Sequence, residues 1–196
     1  GVYVFDQQVD NKITGVSFEL IGKGKELADA MDTEVTAVLL GSKVEGLCDE
    51  LAEYGADKVI LVDNEALEPY RTEPYAHAMA TIIEKYKPAV VLYGATAIGR
   101  DLAPRVSARV RTGLTADCTK LEVDPETKGL QMTRPAFGGN IMPTILCPDH
   151  RPQMATVRPG VMQKRKPAKG AKANVEKCDI TFTPNNKYVE VDEVIK

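Results

Sequence analysis

The chain has 196 residues, 43% of them hydrophobic, so it is long enough to bury one compact core. Its formal net charge of −3 argues against broad nucleic-acid binding, which needs many Lys and Arg side chains to neutralise phosphates. None of the four cysteines forms a Cys-x-x-Cys pair, which argues against a metal site. No apolar run reaches bilayer-spanning length and no basic, apolar leader is visible, so we expect a cytoplasmic protein without membrane insertion.

Short apolar runs punctuate the first half of the chain, over residues 2–5, 35–40, 58–62 and 89–93. Continuous apolar runs are typical of strands that are buried on both faces. Between them, apolar residues recur at helical spacing. Strands that alternate with amphipathic helices predict an α/β fold, with a mostly parallel sheet and helices on both faces.

The pattern changes after Asp117, where four candidate strands follow one another over residues 119–124, 130–134, 141–147 and 153–157. Short connections favour antiparallel pairing, so we expect antiparallel strands to extend the sheet. Residues 162–172 carry five basic residues and no acid, which favours a solvated linker. A final strand is expected over residues 179–183. These patterns divide the chain into a main domain, residues 1–160, and a linker with a final strand, residues 161–196.

The turn over residues 94–99 follows an apolar strand and opens a helix. This arrangement places backbone N–H groups at the carboxyl edge of a sheet, where anionic or planar cofactors bind. Gly99 is a candidate for close approach to such a cofactor, although packing alone also explains small residues here. Among the arginines of this helix, Arg100 is the candidate cofactor-binding residue. A cation near the positive start of a helix is electrostatically unfavourable, which favours a functional reason for its position. Asp101 and Arg105 have the spacing of a local ion pair.

Two later segments combine hydrogen-bonding or charged groups with glycine. Residues 112–117 contain the hydroxyls of Thr112 and Thr115 and a carboxylate, and residues 134–140 contain Arg134, Phe137 and two glycines. A cation beside a flavin stabilises its anionic reduced forms. A polar strand-entry loop and a hairpin turn explain the same segments without a ligand.

Four blocks in this order resemble the alpha subunit of electron-transfer flavoproteins: residues 94–100, 104–109, 134–140 and 151–160. The resemblance covers nearly the whole chain. It implies a Rossmann-like amino-terminal domain that pairs with a beta subunit in a heterodimer. It also implies an electron carrier rather than an enzyme, with acyl-CoA dehydrogenase-type redox partners. The cofactor it implies is FAD, held mainly by the beta subunit and by a carboxyl-terminal domain that would begin beyond Lys196.

The resemblance makes Gly99, Arg100, Thr112, Thr115, Arg134 and Phe137 the candidate cofactor-binding residues. The wording of residues 112–118 is closer to the anaerobic, flavin-bifurcating branch, whose beta subunit carries a second flavin. The alternative is a stand-alone adenine-nucleotide module similar to universal stress proteins. The glycine spacing does not fit that family's motif. No nucleophile and base stand in an order that indicates a hydrolase.

Overall fold

A parallel sheet forms the centre of the molecule, whose computed structural model describes residues 1–136, 138, 140–187 and 189–195. The first half contains β1 (Val2–Phe5), β2 (Gln8–Val9), β3 (Lys12–Ile13), α1 (Gly15–Ala30), β4 (Val35–Gly41), α2 (Cys48–Glu53), β5 (Lys58–Asp63), α3 (Thr72–Tyr86) and β6 (Val90–Gly94). The second half contains α4 (Ala97–Val110), β7 (Leu114–Cys118), β8 (Lys120–Val123), β9 (Leu130–Thr133), β10 (Thr144–Ile145), β11 (Gln153–Val157) and β12 (Val175–Lys177). Single 3₁₀ turns lie at Glu45–Leu47, Glu65–Leu67 and Pro184–Asn186.

The main sheet has seven strands in the order β12-β5-β4-β1-β6-β11-β7, and every neighbouring pair is parallel. The chain leaves the central strand β1 toward β4 on one side and later returns to β6 on its other side. The strand order therefore reverses between β1 and β6. In open α/β sheets a crevice forms at the carboxyl ends of the strands beside such a point.

Helices cover both faces of the sheet, as the alternating pattern predicts. Val2 and Val4 pack on the face covered by α1 and α2, whereas Tyr3 and Phe5 pack with α3 and α4 on the other face. Successive side chains of a strand point to opposite faces of the sheet. Because helices cover both faces, each central strand is buried on both sides. The α/β fold class, with a mostly parallel sheet and additional antiparallel strands, is confirmed.

The antiparallel strands form a separate sheet and do not extend the main one. β8, β9 and β10 pair in the order β10-β9-β8, and their Leu121, Leu130 and Met132 pack against the face that α1 covers. β11 begins and ends where the sequence predicts, but it enters the main sheet in parallel between β6 and β7. The residues between β9 and β11 return the chain to the amino edge of the sheet, which makes the parallel pairing possible.

The segment after β11 crosses the α2 side of the molecule and returns to the sheet. Ala168 N–H donates to the Glu53 carbonyl, and Ala173 N–H donates to the Asp49 carboxylate. The final strand is β12, paired with β5 at the sheet edge, so the expected strand over residues 179–183 is wrong in position. Within residues 179–183, the apolar Ile180 is instead buried in the core that contains α3 and α4.

Candidate functional site

The turn between β6 and α4 is tightly packed at the carboxyl edge of the sheet. The Thr96 hydroxyl accepts from the Gly99 N–H at 3.1 Å, which caps the helix, and donates to Gln7 Oε1 at 2.7 Å. A Cβ on Gly99 would stand 1.7 Å from the Gly94 carbonyl oxygen. Glycine is therefore required here by the contact between the helix start and the strand end, so the geometry gives Gly99 a packing role.

An ion pair lies beside this turn, at the carboxyl ends of β7 and β11. Arg158 donates from Nη2 to Asp117 Oδ2 at 2.6 Å and from Nε to Asp117 Oδ1 at 3.1 Å. Asp117 has a positive φ of 59°, and its N–H donates to the Thr156 hydroxyl where the strand register shifts. Such irregularities re-aim side chains at sheet edges. The irregularity holds the carboxylate and the guanidinium together near solvent.

The charges of three arginines act on Asp117. Hydrogen bonds from Arg158 hold the pKa of the Asp117 carboxyl below its usual range, and the charges of Arg158, Arg100 and Arg134 lower it further. Arg134 directly follows β9, whose last residue, Thr133, lies opposite Lys120 at the start of β8. Burial raises the pKa of the neighbouring Cys118 thiol to about 11. We call Arg100, Asp117, Arg134 and Arg158 the edge cluster. Arg158 binds the carboxylate directly, whereas Arg100 and Arg134 form no ion pair with it among the described residues and act on it only through their charges.

The structure brings together only some of the predicted site residues. Arg100 and Arg134 both act on Asp117, and Arg100 is exposed, but Thr115 is buried inside β7. Thr112 lies at the opposite, amino edge of the sheet, where its hydroxyl donates to the Pro152 carbonyl at 2.7 Å. It lies there because it precedes β7, which begins at Leu114. Phe137 lies outside the described residues.

The other arginines of α4 serve the helix pair and not the edge cluster. Arg109 donates to both carboxylate oxygens of Glu73 on α3 at 2.9 Å, and Arg105 approaches the same carboxylate at 3.9 Å. The expected local pair of Asp101 with Arg105 does not form in the described structure. Asp101 instead accepts from the Tyr70 hydroxyl at 2.6 Å and from the Thr72 hydroxyl. Tertiary partners across the two helices have replaced the partner four residues away.

Asp117 and Arg158 are the members of the edge cluster that sequence reasoning did not select. Each lies inside a segment that it did single out, residues 112–117 and residues 151–160. Their pairing depends on two strands becoming parallel neighbours, for which the sequence carries no local signal. The structure also shows no helix, among the described residues, long and apolar enough to cross a membrane. Nor does the described part of the chain contain a group of three metal-ligating side chains.

The chain matches a known protein family over most of its length. The family model described as "Electron transfer flavoprotein domain" matches residues 2–183. The chain belongs to the electron transfer flavoprotein family. That match includes every strand of the main sheet and all four residues of the edge cluster.

Individual relatives agree with this electron transfer flavoprotein assignment. The chain is 50% identical over its whole length to Protein FixB of Clostridium saccharobutylicum and 49% identical over its whole length to an electron transfer flavoprotein subunit alpha of Clostridium acetobutylicum. These matches cover 58% and 59% of the two relatives. A third relative is the lactate dehydrogenase (NAD(+),ferredoxin) subunit LctC of Acetobacterium woodii, 45% identical over 100% of this chain and 47% of the relative. The chain therefore spans about half to three fifths of these relatives.

Proposed function

We propose that this chain is the amino-terminal domain of an electron transfer flavoprotein alpha subunit, and that it acts as a scaffold which pairs with a beta subunit and helps shape a flavin site. The observation that carries the proposal is the edge cluster. Arg158 binds Asp117 at the carboxyl edge of a parallel sheet, where α/β proteins bind cofactors, and the charges of Arg100 and Arg134 also act on this carboxylate. Relatives named as electron transfer subunits support the scaffold role rather than independent catalysis.

The charges of the edge cluster are suited to contact with a bound flavin. A bound flavin supplies one- and two-electron transfer. Arg134 and Arg100 would bring positive charge to an electron-rich edge of the ring, which favours an anionic reduced form. The pair of Asp117 and Arg158 would hold one guanidinium in a fixed orientation, because a carboxylate that accepts two N–H groups restricts the fork.

Pairing with a beta subunit follows from the same proposal. We propose FAD as the cofactor, held mainly outside this chain, and acyl-CoA dehydrogenase-type proteins as redox partners. The flavin-bifurcating branch remains a prediction, and the Acetobacterium relative, whose name includes NAD+ and ferredoxin, makes that branch worth testing. Thr112 is proposed to stabilise the amino edge through Pro152 and not to contact the flavin.

The substitution Arg134→Ala tests the proposed role of the edge cluster in setting the flavin potential. Loss of this guanidinium removes positive charge beside the flavin, so we expect the two-electron midpoint potential of the assembled complex to fall by roughly 30 mV, or ~1.4 kcal/mol. The measurement is a spectroscopic redox titration after gel filtration with the matching beta subunit, followed by visible absorption. By itself the chain should elute without visible colour.

Arg105→Ala is the matched control, because Arg105 is an exposed arginine that pairs loosely with Glu73. It should leave both assembly and potential unchanged. If Arg134→Ala also leaves assembly and potential unchanged, Arg134 is only a turn residue and the flavin role is wrong. A wild-type chain that ignores the beta subunit and binds ATP would instead support the stand-alone nucleotide module.

A further inference from the structure

A pocket opens at the amino edge of the main sheet, at the opposite end of the strands from the edge cluster. We call it the amino-edge pocket, and it lies between residues 83–88, 109–111 and 151–152. Its volume is about 510 Å³, within the range of small-molecule sites. None of the four edge-cluster residues lines it, so the proposed flavin role does not account for it.

The floor of the amino-edge pocket is apolar. Ile83, Pro88 and Pro152 are buried, and Val110 is partly buried. Ile83 belongs to the core that contains α3 and α4, and Val110 packs against that core. A ligand that covers these side chains removes apolar surface from water, which favours a ligand with an apolar body.

Three exposed cations line the pocket beside this floor: Lys87, Arg111 and Arg151. None of the three forms an ion pair among the described residues. A fourth cation, Arg109, also lines the pocket, but its guanidinium already binds a carboxylate of α3. Glu84 is the one acid among the described residues of the lining. The free charge of the pocket is therefore positive.

Arg151 is held in place by the loop before β11. Its Nη1 donates to the carbonyls of Cys147 and His150, each at 2.8 Å. The other nitrogens of this guanidinium have no protein acceptor in the described structure. Asp149, in the same loop, is exposed and does not line the pocket. The fixed guanidinium thus keeps N–H donors for an anionic ligand.

The other two cations occupy positions where glycine is favoured. Lys87 and Arg111 directly follow α3 and α4, with left-handed φ angles of 49° and 59°. Their own N–H groups satisfy late carbonyls of the helices, because they donate to Ile83 and Ala108 respectively. The helix dipole explains one cation at each helix end, but it does not explain Arg151, which comes from a loop. Cations from three separate elements therefore converge on one pocket.

We propose that the amino-edge pocket binds a small organic anion. The apolar body of the ligand covers the floor, and its oxyanion meets Lys87, Arg111 and Arg151. A guanidinium matches the paired oxygens of a carboxylate, sulfonate or phosphate, and a lysine adds a compact charge. The site is distinct from the edge cluster, whose carboxylate already binds Arg158.

Calorimetric titration of the whole chain tests the proposal with three matched probes, at about 0.1 M ionic strength, where distant charges are screened. Naphthalene-2-sulfonate carries both an apolar body and an oxyanion. At pH 7, 2-naphthol has the same apolar body without charge, and inorganic sulfate has the charge without the body. We expect one naphthalene-2-sulfonate to bind saturably, and the other two probes to bind at least about tenfold more weakly.

The double substitution Lys87→Gln with Arg111→Gln should weaken naphthalene-2-sulfonate binding by at least about tenfold, because it removes two of the three unpaired charges. The matched control is Lys43→Gln with Lys169→Gln. It removes two exposed lysine charges outside the pocket, and Lys43 also has a left-handed φ. Its affinity should stay within about twofold of the wild type.

Glu84→Gln distinguishes an electrostatic effect from damage to the fold. It removes the acid of the lining, so naphthalene-2-sulfonate should bind about twofold or more tightly, a gain that a damaged fold does not produce. Every variant should show the far-ultraviolet circular dichroism of the wild type. Equal binding of naphthalene-2-sulfonate and either other probe, equal effects of the two double variants, no gain in Glu84→Gln, or no saturable binding would overturn the proposal.

Discussion

Asp6 is a carboxyl group buried at the end of the central strand. It is 1% exposed, and neither of its carboxylate oxygens has a hydrogen-bond partner within the described structure. Burial raises the pKa of this carboxyl well above its usual range. A raised carboxyl pKa contributes stability that is fully present below the unfolded value, about 3.9, and lost as pH rises through the folded value. Asp6 therefore destabilises the fold at neutral and alkaline pH.

Asp6→Asn should remove this loss because the amide does not ionise. We expect the free energy of unfolding at pH 8 to rise by about 1–3 kcal/mol relative to the wild type, with a smaller difference near pH 4. Urea unfolding at both pH values measures it. Asp149→Asn changes an exposed carboxyl and serves as the control with no such difference. A stability gain that is the same at both pH values would show that Asp6 does not titrate as argued.

At the scale of the element, the start of α4 depends on one glycine. Gly99→Ala would drive a Cβ into the Gly94 backbone carbonyl, which cannot move without disturbing β6. We expect a loss of about 3 kcal/mol or more in the free energy of unfolding, at the upper end of overpacking costs. Gly15→Ala is the matched control, since it lies in the first turn of α1 with no atom near the new Cβ. The control should be neutral or more stable by up to about 1 kcal/mol.

Elements were predictable where a strand is buried on both faces. Residues 2–5, 35–40, 58–62 and 89–93 are apolar except for Thr36 and Lys58, and they form most of β1, β4, β5 and β6. β12 was missed because its three residues include Glu176 and Lys177, and Glu176 pairs with Lys58 at the sheet edge. Local apolar content favoured residues 179–183 instead, but apolar content does not distinguish a strand from a segment packed on helices.

The edge cluster was only partly predictable for a related reason. Arg100 could be selected from its place near the start of a helix, and Arg134 from its turn. The ion pair of Asp117 with Arg158, on which their charges act, depends on the register shift between β7 and β11 and on a positive φ at an aspartate. Neither feature has a sequence pattern. Thr112 and Thr115 are three residues apart in the sequence, but one lies before β7 and the other is buried within it.

At the scale of the whole molecule, the residues after the linker complete the fold. Cys178 and Ile180 are buried in the core shared with α3 and α4, and Asn186 donates to Glu73 at 3.3 Å. Glu73 also holds Arg109, so one carboxylate joins α3, α4 and the final segment. A division of the chain at residue 160 would cut through these contacts. We infer that residues 1–187 unfold as one cooperative unit.

Ile180→Ala tests this cooperativity. If the inference is right, the substitution should lower the free energy of unfolding of the whole chain by about 2–4 kcal/mol while the urea transition stays single. Ile195→Ala is the matched control, because Ile195 is 88% exposed and should change stability by less than about 0.5 kcal/mol. Within each variant, far-ultraviolet circular dichroism and tyrosine fluorescence should report the same midpoint as each other. If residues beyond the linker were an independent appendage, Ile180→Ala would leave the main transition in place, since no strand of the central sheet would depend on that side chain.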